Sequence, residues 1–435
     1  MRASAQIQAA IELLETIEQE RRPADRMMSL YYRSRRYIGS KDKAAISDVV
    51  YAVLRKKATF SWIALQVGLS NIARHWVLVY LIENEKSPED YFLGDNYSPE
   101  DLSESEKNAV HKMKQMLGEW PLNNVPEHTQ LNLPEWLVPQ MKKSLGDAFE
   151  NEMRVMQDRA NLDIRVNTLK SDRDSVQQLI EAEGYMTEKT DYSPLGLSFT
   201  QKVALANLDT FQEGLFEVQD QGSQLIALVA GVKPGDKVVD FCAGAGGKSL
   251  ALAAQMQNKG VLHACDVHTK RLDNLSKRKK RAGVHNIQTH ILSSERDKWV
   301  KRNAGKMDVV LIDAPCTGTG TWRRSPDARW NLEQQNLLSL QSLQASILDS
   351  ASRLVKPGGR LIYATCSLLR EENEEQIEQF LAEHPDFNTT DLDNVEMLEN
   401  LDVTNKYQLR TSPAKTGMDG FFVAAMTRNQ SDSTS

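Results

Sequence analysis

The stretch "KVVDFCAGAGGKSLALAA", residues 237–254, decides the fold of the carboxyl-terminal half of the chain. Its apolar beginning predicts a buried strand, its glycines predict a tight loop, and its end, rich in alanine and leucine, predicts a helix. Four further apolar runs alternate with helical segments downstream, namely "GVLHACD" (260–266), "NIQTHIL" (286–292), "DVVLIDA" (308–314) and "RLIYATC" (360–366). This alternation predicts an α/β fold, a Rossmann-like doubly wound domain with a parallel sheet.

The bulk composition limits the class of protein. A chain of 435 residues is long for one compact domain, and its net charge of −6 means that nucleic-acid contact requires a local basic patch. Four cysteines without close pairs predict neither a zinc site nor a disulfide framework.

The amino terminus lacks a signal-peptide core, and "WVLVYLI" (76–82) suits a buried helix because it is too short to cross a bilayer. We expect a cytoplasmic, reduced monomer that binds neither membrane nor metal.

Two nucleotide-binding fingerprints match the glycine loop only in part. A P-loop needs a glycine five positions before Gly247, and Cys242 stands there. The "GKS" at 247–249 and the strand "VVLIDAP" (309–315) nevertheless keep a nucleoside triphosphatase open as an alternative. A dinucleotide fingerprint requires glycine or alanine at position 249, and Ser249 stands there.

S-adenosylmethionine makes smaller demands on such a loop. It carries no pyrophosphate, so it needs a tight loop near its carboxylate and amino groups and one acid for its ribose hydroxyls. Asp266 ends the second predicted strand, 22 positions beyond Gly244, where a carboxylate can hydrogen-bond a ribose. The pattern favours a loop that binds S-adenosylmethionine over a loop that only connects the strand to the helix.

Two cysteines, Cys316 and Cys366, follow predicted strands in equivalent loops, and Asp313 lies three residues before the first. The carboxyl ends of parallel strands share one edge of the sheet, where ligands bind. These residues suit methyl transfer to C5 of a pyrimidine. In that reaction a thiolate must add to C6, and the C5 proton must later be removed. The alternative is that cysteines are small buried hydrophobic residues, which we expect for Cys242 and Cys265.

From "RVNTLK" (165–170) to "MDGFF" (418–422) the chain resembles the RsmB/NOP family of RNA cytosine-5 methyltransferases, also called Sun or NOL1/NOP2. The motifs that carry this resemblance are "EVQDQGSQL", "DFCAGAGGKSL", "DAPCTGTGTWRRSPDARW" and "YATCSLLREENEE". The combination of "DAPC" with "TCS" is specific, whereas the glycine loop alone is not.

The resemblance implies a class I methyltransferase domain with roles for named residues. Cys366 would be the nucleophile, Cys316 would assist product release, and Asp313 would lie between the cofactor amine and cytosine N3. Asp266 would bind the ribose of S-adenosylmethionine, and Arg271 would form part of the cofactor wall. Further cofactor contacts would come from Cys242, Ala243, Gly244, Ala245, Gly246, Gly247 and Lys248. DNA cytosine-5 enzymes instead attack with the "PC" cysteine, so spacing alone leaves the choice of nucleophile open.

The sequence departs from the family pattern at two places. The loop commonly reads Ala-Pro-Gly-Gly-Lys, and here Ala245 replaces the proline, which loses its rigidity. The acid expected after the third strand is missing from "THILSSERDKW", where Ser293 or Ser294 occupies its position beside Glu295. A serine hydroxyl there can still hydrogen-bond the adenine amino group. This departure keeps a non-catalytic RNA-binding assembly factor open as an alternative.

Two basic segments are candidates for RNA contact. The segment 269–283 places seven basic residues on one predicted helix, which is either a solvated face or a track for phosphates. The segment 321–330, "TWRRSPDARW", combines arginines and tryptophans that could stack on an unpaired base, or its tryptophans could anchor a loop. The predicted RNA contacts are Arg165, Lys170, Arg323 and Arg324. The acidic run "REENEE" (370–375) is predicted to be a solvated first helical turn.

The chain is predicted to hold an all-helical domain (1–125), a linker (126–140), a small α+β RNA-binding module (141–220), the methyltransferase domain (221–428) and a disordered tail (429–435). Residues 34–57 resemble a NusB-like domain, which favours 16S ribosomal RNA over transfer RNA as the substrate.

Overall fold

The computed structural model describes residues 1–392, 401 and 406–430, so the predicted disordered tail lies mostly outside the described residues. The chain divides into two compact units. The first is formed by residues 1–159 and 321–334, and the second by residues 160–320 and 335–435. The described part of the chain contains no helix that is long and apolar enough to cross a membrane.

The first unit is built from helices. Nine of its α-helices are α1 (Ala3–Glu20), α2 (Ala24–Ser34), α3 (Ser40–Arg55), α4 (Lys57–Gln66), α5 (Ala73–Glu83), α6 (Glu104–Gly118), α7 (Glu127–Gln130), α8 (Val138–Leu145) and α9 (Phe149–Val155). Single 3-10 turns lie at Pro88–Asp90, Glu135–Leu137 and Gly146–Ala148. Residues 76–82 of α5 are all buried, so the run "WVLVYLI" is a core helix, as its length predicted.

The prolines near residue 130 start helices and do not mark a linker. Pro126 and Pro134 directly precede α7 and the turn Glu135–Leu137. Proline is tolerated where a helix begins, because an N–H there would have no partner within the helix. Leu131 and Leu133 between them are buried. The segment 126–140, predicted as a linker, is therefore packed structure within the helical unit.

The second unit contains a small antiparallel sheet with the strand order β2-β3-β1-β4. Its strands are β1 (Leu162–Val166), β2 (Thr187–Lys189), β3 (Gly196–Phe199) and β4 (Phe216–Val218). The core between this sheet and helix α10 (Arg173–Ala182) includes Ile164, Val176, Ile180 and Phe216. A 3-10 turn at Leu205–Asn207 and helix α11 (Asp209–Gln212) complete the module.

The main sheet of the second unit has eight described strands, with the order β10-β12-β9-β8-β5-β6-β7 and β11 paired to β12. They are β5 (Lys237–Asp240), β6 (Val261–Asp266), β7 (Ile287–Ile291), β8 (Met307–Asp313), β9 (Val355–Thr365), β10 (Phe387–Thr389), β11 (Gln408–Arg410) and β12 (Phe422–Arg428). Strands β5 to β9 are parallel, and β12 is antiparallel to β9. The predicted Rossmann-like sheet is confirmed. Its order reverses at β5, which is where such sheets bind ligands.

The remaining helices lie before, between and after the strands of this sheet in the chain, and one of them, α16, belongs to the first unit. They are α12 (Gln221–Val229), α13 (Gly247–Gln255), α14 (Thr269–Ala282), α15 (Lys298–Arg302), α16 (Ala328–Asn331), α17 (Gln334–Ser352), α18 (Glu374–Glu383) and α19 (Pro413–Thr416), with 3-10 turns at Thr319–Thr321 and Arg370–Glu372. Helix α14 ends at Gly283, whose φ of +72° is the left-handed conformation common after a helix.

The segment 321–334 belongs to the first unit, and its aromatic and basic side chains are anchored there. Arg329 is 1% exposed, and its guanidinium donates to the carbonyl oxygens of Asn132 (2.7 Å) and Met156 (2.9 Å). Trp330 donates its indole N–H to the carbonyl oxygen of Leu54. The reading in which the tryptophans anchor a loop is therefore the one that the structure supports.

The RNA contact predicted for Arg323 does not fit its position. Arg323 is 6% exposed, and Arg55 donates a hydrogen bond to its carbonyl oxygen. A buried guanidinium cannot reach a phosphate or stack on a base. Arg324 is only half-buried and keeps that prediction open.

Candidate active site

The loop after β5 is a cradle that depends on glycine. Gly244 and Gly246 have positive φ angles of +55° and +83°, which favour glycine. A Cβ on Gly246 would lie 2.1 Å from Cδ1 of Leu275, too close for any side chain. A Cβ on Gly244 would meet nothing within 4 Å, so space for a ligand lies beside this residue. The cradle leads into the N-terminus of α13, where carboxylates are stabilised.

Asp266 closes this cradle from the end of β6. Its Oδ2 accepts a hydrogen bond from the backbone N–H of Gly244 at 2.8 Å, and its Oδ1 accepts one from that of His268 at 2.7 Å. The side chain is buried. Each carboxylate oxygen has a second lone pair, so Asp266 can accept ribose hydroxyls while it holds the loop.

Lys248 and Asp313 form an ion pair between the cradle and the end of β8. The Nζ of Lys248 lies 2.8 Å from Oδ2 of Asp313, and their side chains are 9% and 34% exposed. Burial alone would lower the pKa of Lys248, but the charge and the hydrogen bond of Asp313 outweigh burial, so this pKa is raised. The pair therefore presents a fixed ammonium and a partly exposed carboxylate at one point of the sheet edge.

Asp240 at the end of β5 is a second acid of the site. It is fully buried, and Ser249 donates its hydroxyl to Oδ2 at 2.6 Å. Its Oδ1 has no hydrogen-bond partner among the described residues. Burial raises the pKa of Asp240 to about 7, although the hydrogen bond from Ser249 opposes this shift.

The two cysteine loops bring their sulfur atoms into contact. The Sγ atoms of Cys316 and Cys366 lie 3.4 Å apart, and both residues are half-buried. The backbone N–H of Gly320 donates to the carbonyl oxygen of Cys366, which ties the loops together. The pKa of Cys316 is raised well above its ordinary value by its hydrogen bond with Cys366 and by burial, so Cys316 keeps its proton. A protonated thiol at this distance can donate a hydrogen bond to a neighbouring thiolate.

The other two cysteines differ from this pair. Cys265 is fully buried in the core of the sheet, and burial raises its pKa. Burial also raises the pKa of Cys242, which packs on the same core. Burial is the largest cause of the raised pKa of Cys242 and Cys265, whereas for Cys316 the hydrogen bond with Cys366 is the largest cause.

The acidic run after Cys366 is buried, and the prediction of a solvated turn is wrong for three of its residues. Glu372 and Asn373 are 0% exposed and Glu374 is 8% exposed. Glu374 pairs with Arg410, which lies on β11. A buried carboxylate is stable only when hydrogen bonds or opposite charges compensate for lost water. Those partners come from distant parts of the chain, so the burial of Glu372 could not be predicted from the sequence.

Arg165 holds the cofactor cradle from the small sheet. It is 3% exposed, and its guanidinium donates to the side chain of Gln219 and to the carbonyl oxygen of Gly247 (2.9 Å). Burial lowers its pKa to about 10. The RNA contact predicted for Arg165 does not fit this position, since its guanidinium supports the loop from inside.

Helix α14 holds the same loop from another side. Arg278 donates to the carbonyl oxygen of Ala245 at 2.9 Å and pairs with Glu217, which also pairs with Arg281. Glu217 is 2% exposed and lies on β4. Two of the seven basic residues of α14 therefore bind the small sheet to the main sheet.

The other predicted binding residues lie around this loop. Arg271 is exposed on the first turn of α14. Lys170 donates to the carbonyl oxygens of Glu213 (2.5 Å) and Arg281 (2.7 Å). Ser294 is half-buried and accepts a hydrogen bond from the N–H of Arg296.

The described residues include no group of three His, Cys, Asp or Glu side chains placed to hold a metal ion.

Comparisons with known proteins identify relatives of this chain. Residues 227–427 match the family model described as 16S rRNA methyltransferase RsmB/F, and residues 133–206 match its ferredoxin-like domain. The "Probable ribosomal RNA small subunit methyltransferase B" of Bacillus subtilis is 33% identical over 301 residues, which are 68% of this chain and 67% of that protein. The ribosomal RNA small subunit methyltransferase B of Erwinia tasmaniensis is 26% identical over 450 residues, and the match covers 95% of this chain and 97% of that one.

A solved structure shows the same fold. The methyltransferase homologue of Pyrococcus horikoshii is 27% identical to this chain, with a TM-score of 0.59. The match covers 69% of this chain and 97% of that one.

Proposed function

Because the chain belongs to the family of 16S ribosomal RNA methyltransferases RsmB/F, we propose that it methylates C5 of a cytosine in 16S ribosomal RNA through a covalent bond between Cys366 and C6. The observation that carries this proposal is the contact of two thiols beside the Lys248–Asp313 ion pair. Family membership also favours a methyltransferase over the nucleoside triphosphatase and the non-catalytic factor.

S-adenosylmethionine supplies an electrophilic methyl group when it is bound. The residues present fit this cofactor, since the glycine cradle has free space beside Gly244 and the buried carboxylate of Asp266 lies next to it. Lys248 would provide a positive charge for the carboxylate of the cofactor, and Asp313 would accept a hydrogen bond from its amino group. The proposed contacts remain Cys242, Ala243, Gly244, Ala245, Gly246, Gly247, Lys248, Asp266, Arg271, Ser294 and Asp313.

The thiol pair performs the covalent steps. The thiolate of Cys366 adds to C6, and the C5–C6 electron pair moves to C5. C5 would then displace the methyl group from a bound sulfonium, whose sulfur would keep the electron pair of the broken S–CH3 bond and leave as a neutral thioether. Water accepts the C5 proton, the double bond reforms, and the electron pair of the C6–S bond returns to Cys366. The S–H of Cys316 donates a hydrogen bond to this sulfur as its negative charge returns, which stabilises the leaving group.

RNA contact is proposed for exposed basic residues near the site. On α14 these are Lys270, Arg271, Lys277 and Lys280, which are exposed and would face phosphates. Arg324 and Lys170 remain candidates, whereas Arg165 and Arg323 are left out because they are buried. We propose that the protein is a monomer. We also propose that it works in the cytoplasm, because the cytoplasm keeps free cysteines such as its four reduced.

Methyl transfer to defined RNA tests the proposal. The protein is incubated with S-adenosylmethionine labelled on the methyl group and with small-subunit RNA from cells that lack it. We expect label in 5-methylcytosine at one position, which bisulfite sequencing locates. Label in transfer RNA alone would contradict the substrate, and label in another nucleoside would contradict the chemistry.

A further inference from the structure

Glu372 is a buried carboxylate that none of the steps above uses. It is 0% exposed and lies six residues after Cys366, in the 3-10 turn Arg370–Glu372. Burial raises its pKa, and hydrogen bonds from Ser367, Thr317 and Gln344 oppose that shift. An acid kept in this environment against the cost of desolvation needs an explanation.

The carboxylate holds the loop of the first cysteine. Its Oε1 accepts hydrogen bonds from the backbone N–H of Thr317 at 2.9 Å and from Nε2 of Gln344 at 3.0 Å. Its Oε2 accepts a short hydrogen bond from the hydroxyl of Thr317. Thr317 is covalently joined to Cys316, so Glu372 fixes the backbone and the side chain directly after that thiol.

The neighbour of Glu372 holds the loop of the second cysteine. Asn373 accepts a hydrogen bond from the hydroxyl of Thr365 at 2.6 Å and donates to the carbonyl oxygen of Ser367 at 2.9 Å. Thr365 and Ser367 flank Cys366 in the sequence. Two consecutive buried residues thus hold the two cysteine loops between them, and the separation of the sulfur atoms depends on both.

We propose that Glu372 is a positioning residue which, through Thr317, keeps the Sγ of Cys316 within hydrogen-bond distance of Cys366 during product release. This inference rests on the proposed function. When the C6–S bond breaks, its electron pair returns to Cys366, and the thiol of Cys316 stabilises that charge without losing its proton. The titratable groups that face Cys316 are Cys366, Glu372 and Tyr363. The negative charge of Glu372 favours the protonated thiol that this role needs.

Rapid-quench single turnovers with 16S ribosomal RNA test the proposal, with the protein–RNA adduct resolved on denaturing gels. Glu372→Gln keeps the size of the side chain and removes its charge. We expect the adduct to form within threefold of the wild-type rate and to decay at least tenfold more slowly. The matched control is Glu378→Gln, the same change at an exposed position of α18, which should decay like the wild type.

The pH dependence of decay separates positioning from general weakening of the fold. With the charge of Glu372 removed, Cys316 should ionise at lower pH, so decay should fall off at lower pH than in the wild type on the alkaline side. A folded Glu372→Gln protein with wild-type decay at every pH would overturn the proposal.

A milder variant covers the case in which Glu372→Gln does not fold. Thr317→Val keeps the backbone N–H bond to Glu372 and removes the hydroxyl contacts with Glu372 and Ser367. It should slow decay about threefold, the loss expected for a hydrogen bond of ordinary strength. Wild-type decay in this variant would likewise overturn the role of Glu372. A wild-type protein that methylates RNA without ever forming an adduct would instead overturn the covalent mechanism of the proposed function.

Discussion

Oδ2 of Asp266 lies 2.8 Å from the backbone nitrogen of Gly244, so the acid proposed to bind ribose also closes the glycine cradle. This double role predicts the effect of Asp266→Ala. The change removes the ribose acceptor and leaves two backbone N–H groups without partners, and we expect S-adenosylmethionine to bind about 30- to 100-fold more weakly. Calorimetric titration measures this loss.

The unpaired N–H groups should also lower the free energy of unfolding of the Asp266→Ala protein by about 1–3 kcal/mol. Asp273→Ala on the exposed face of α14 is the matched control and should bind the cofactor normally. Wild-type affinity in Asp266→Ala would show that the cofactor lies elsewhere.

The cysteine variants should behave differently from one another. Cys366→Ala cannot form the bond to C6, so turnover should fall to background. Cys316→Ala loses the hydrogen bond that stabilises the leaving sulfur, so a protein–RNA adduct should accumulate and appear as a slowly migrating band on a denaturing gel. The control is Cys265→Ala, which lies in the core and should form and release the adduct normally. An adduct trapped in Cys366→Ala would reverse the two roles.

Asp240 should make the stability of the protein depend on pH. Its folded pKa of about 7 lies above the ordinary value of 3.8, so the folded state binds more protons than the unfolded state between these values. The free energy of unfolding should therefore fall as the pH rises from about 4 to about 7. In Asp240→Asn this fall should shrink by roughly 3–4 kcal/mol, as measured by denaturant unfolding across the range. Asp273→Asn, at an exposed position, should leave the slope unchanged.

The strands and the cysteine pair could be predicted from the sequence because their signals are local. Five apolar runs alternate with helices, and parallel strands bring their carboxyl ends to one edge whatever the side-chain details. Cys316 and Cys366 follow two such strands, β8 and β9, which are neighbours in the sheet. Their contact is thus a consequence of topology.

The buried charges could not be predicted because their partners lie far away in the sequence. Glu374 is neutralised by Arg410, 36 residues later. Arg165 reaches Gly247, 82 residues later. Charged residues are predicted to be exposed as long as such partners are unknown. For that reason Glu374 was predicted in a solvated turn and Arg165 in contact with RNA.

Replacing Arg278 measures how strongly the small sheet supports the glycine loop. This side chain binds Ala245, which replaces the usual proline of the family loop, and it pairs with Glu217. Arg278→Ala should free the loop and remove the ion pair of Arg278 with Glu217, while the pair of Arg281 with Glu217 stays. We expect KM for S-adenosylmethionine to rise about three- to tenfold, the cost of one hydrogen bond of ordinary strength, with a smaller change in kcat. Lys280→Ala is the control for cofactor affinity, because it removes an exposed charge from the same helix without touching the loop. An unchanged KM in Arg278→Ala would mean that the glycines alone define the cradle, and the arginine would then serve only the contact between the two sheets.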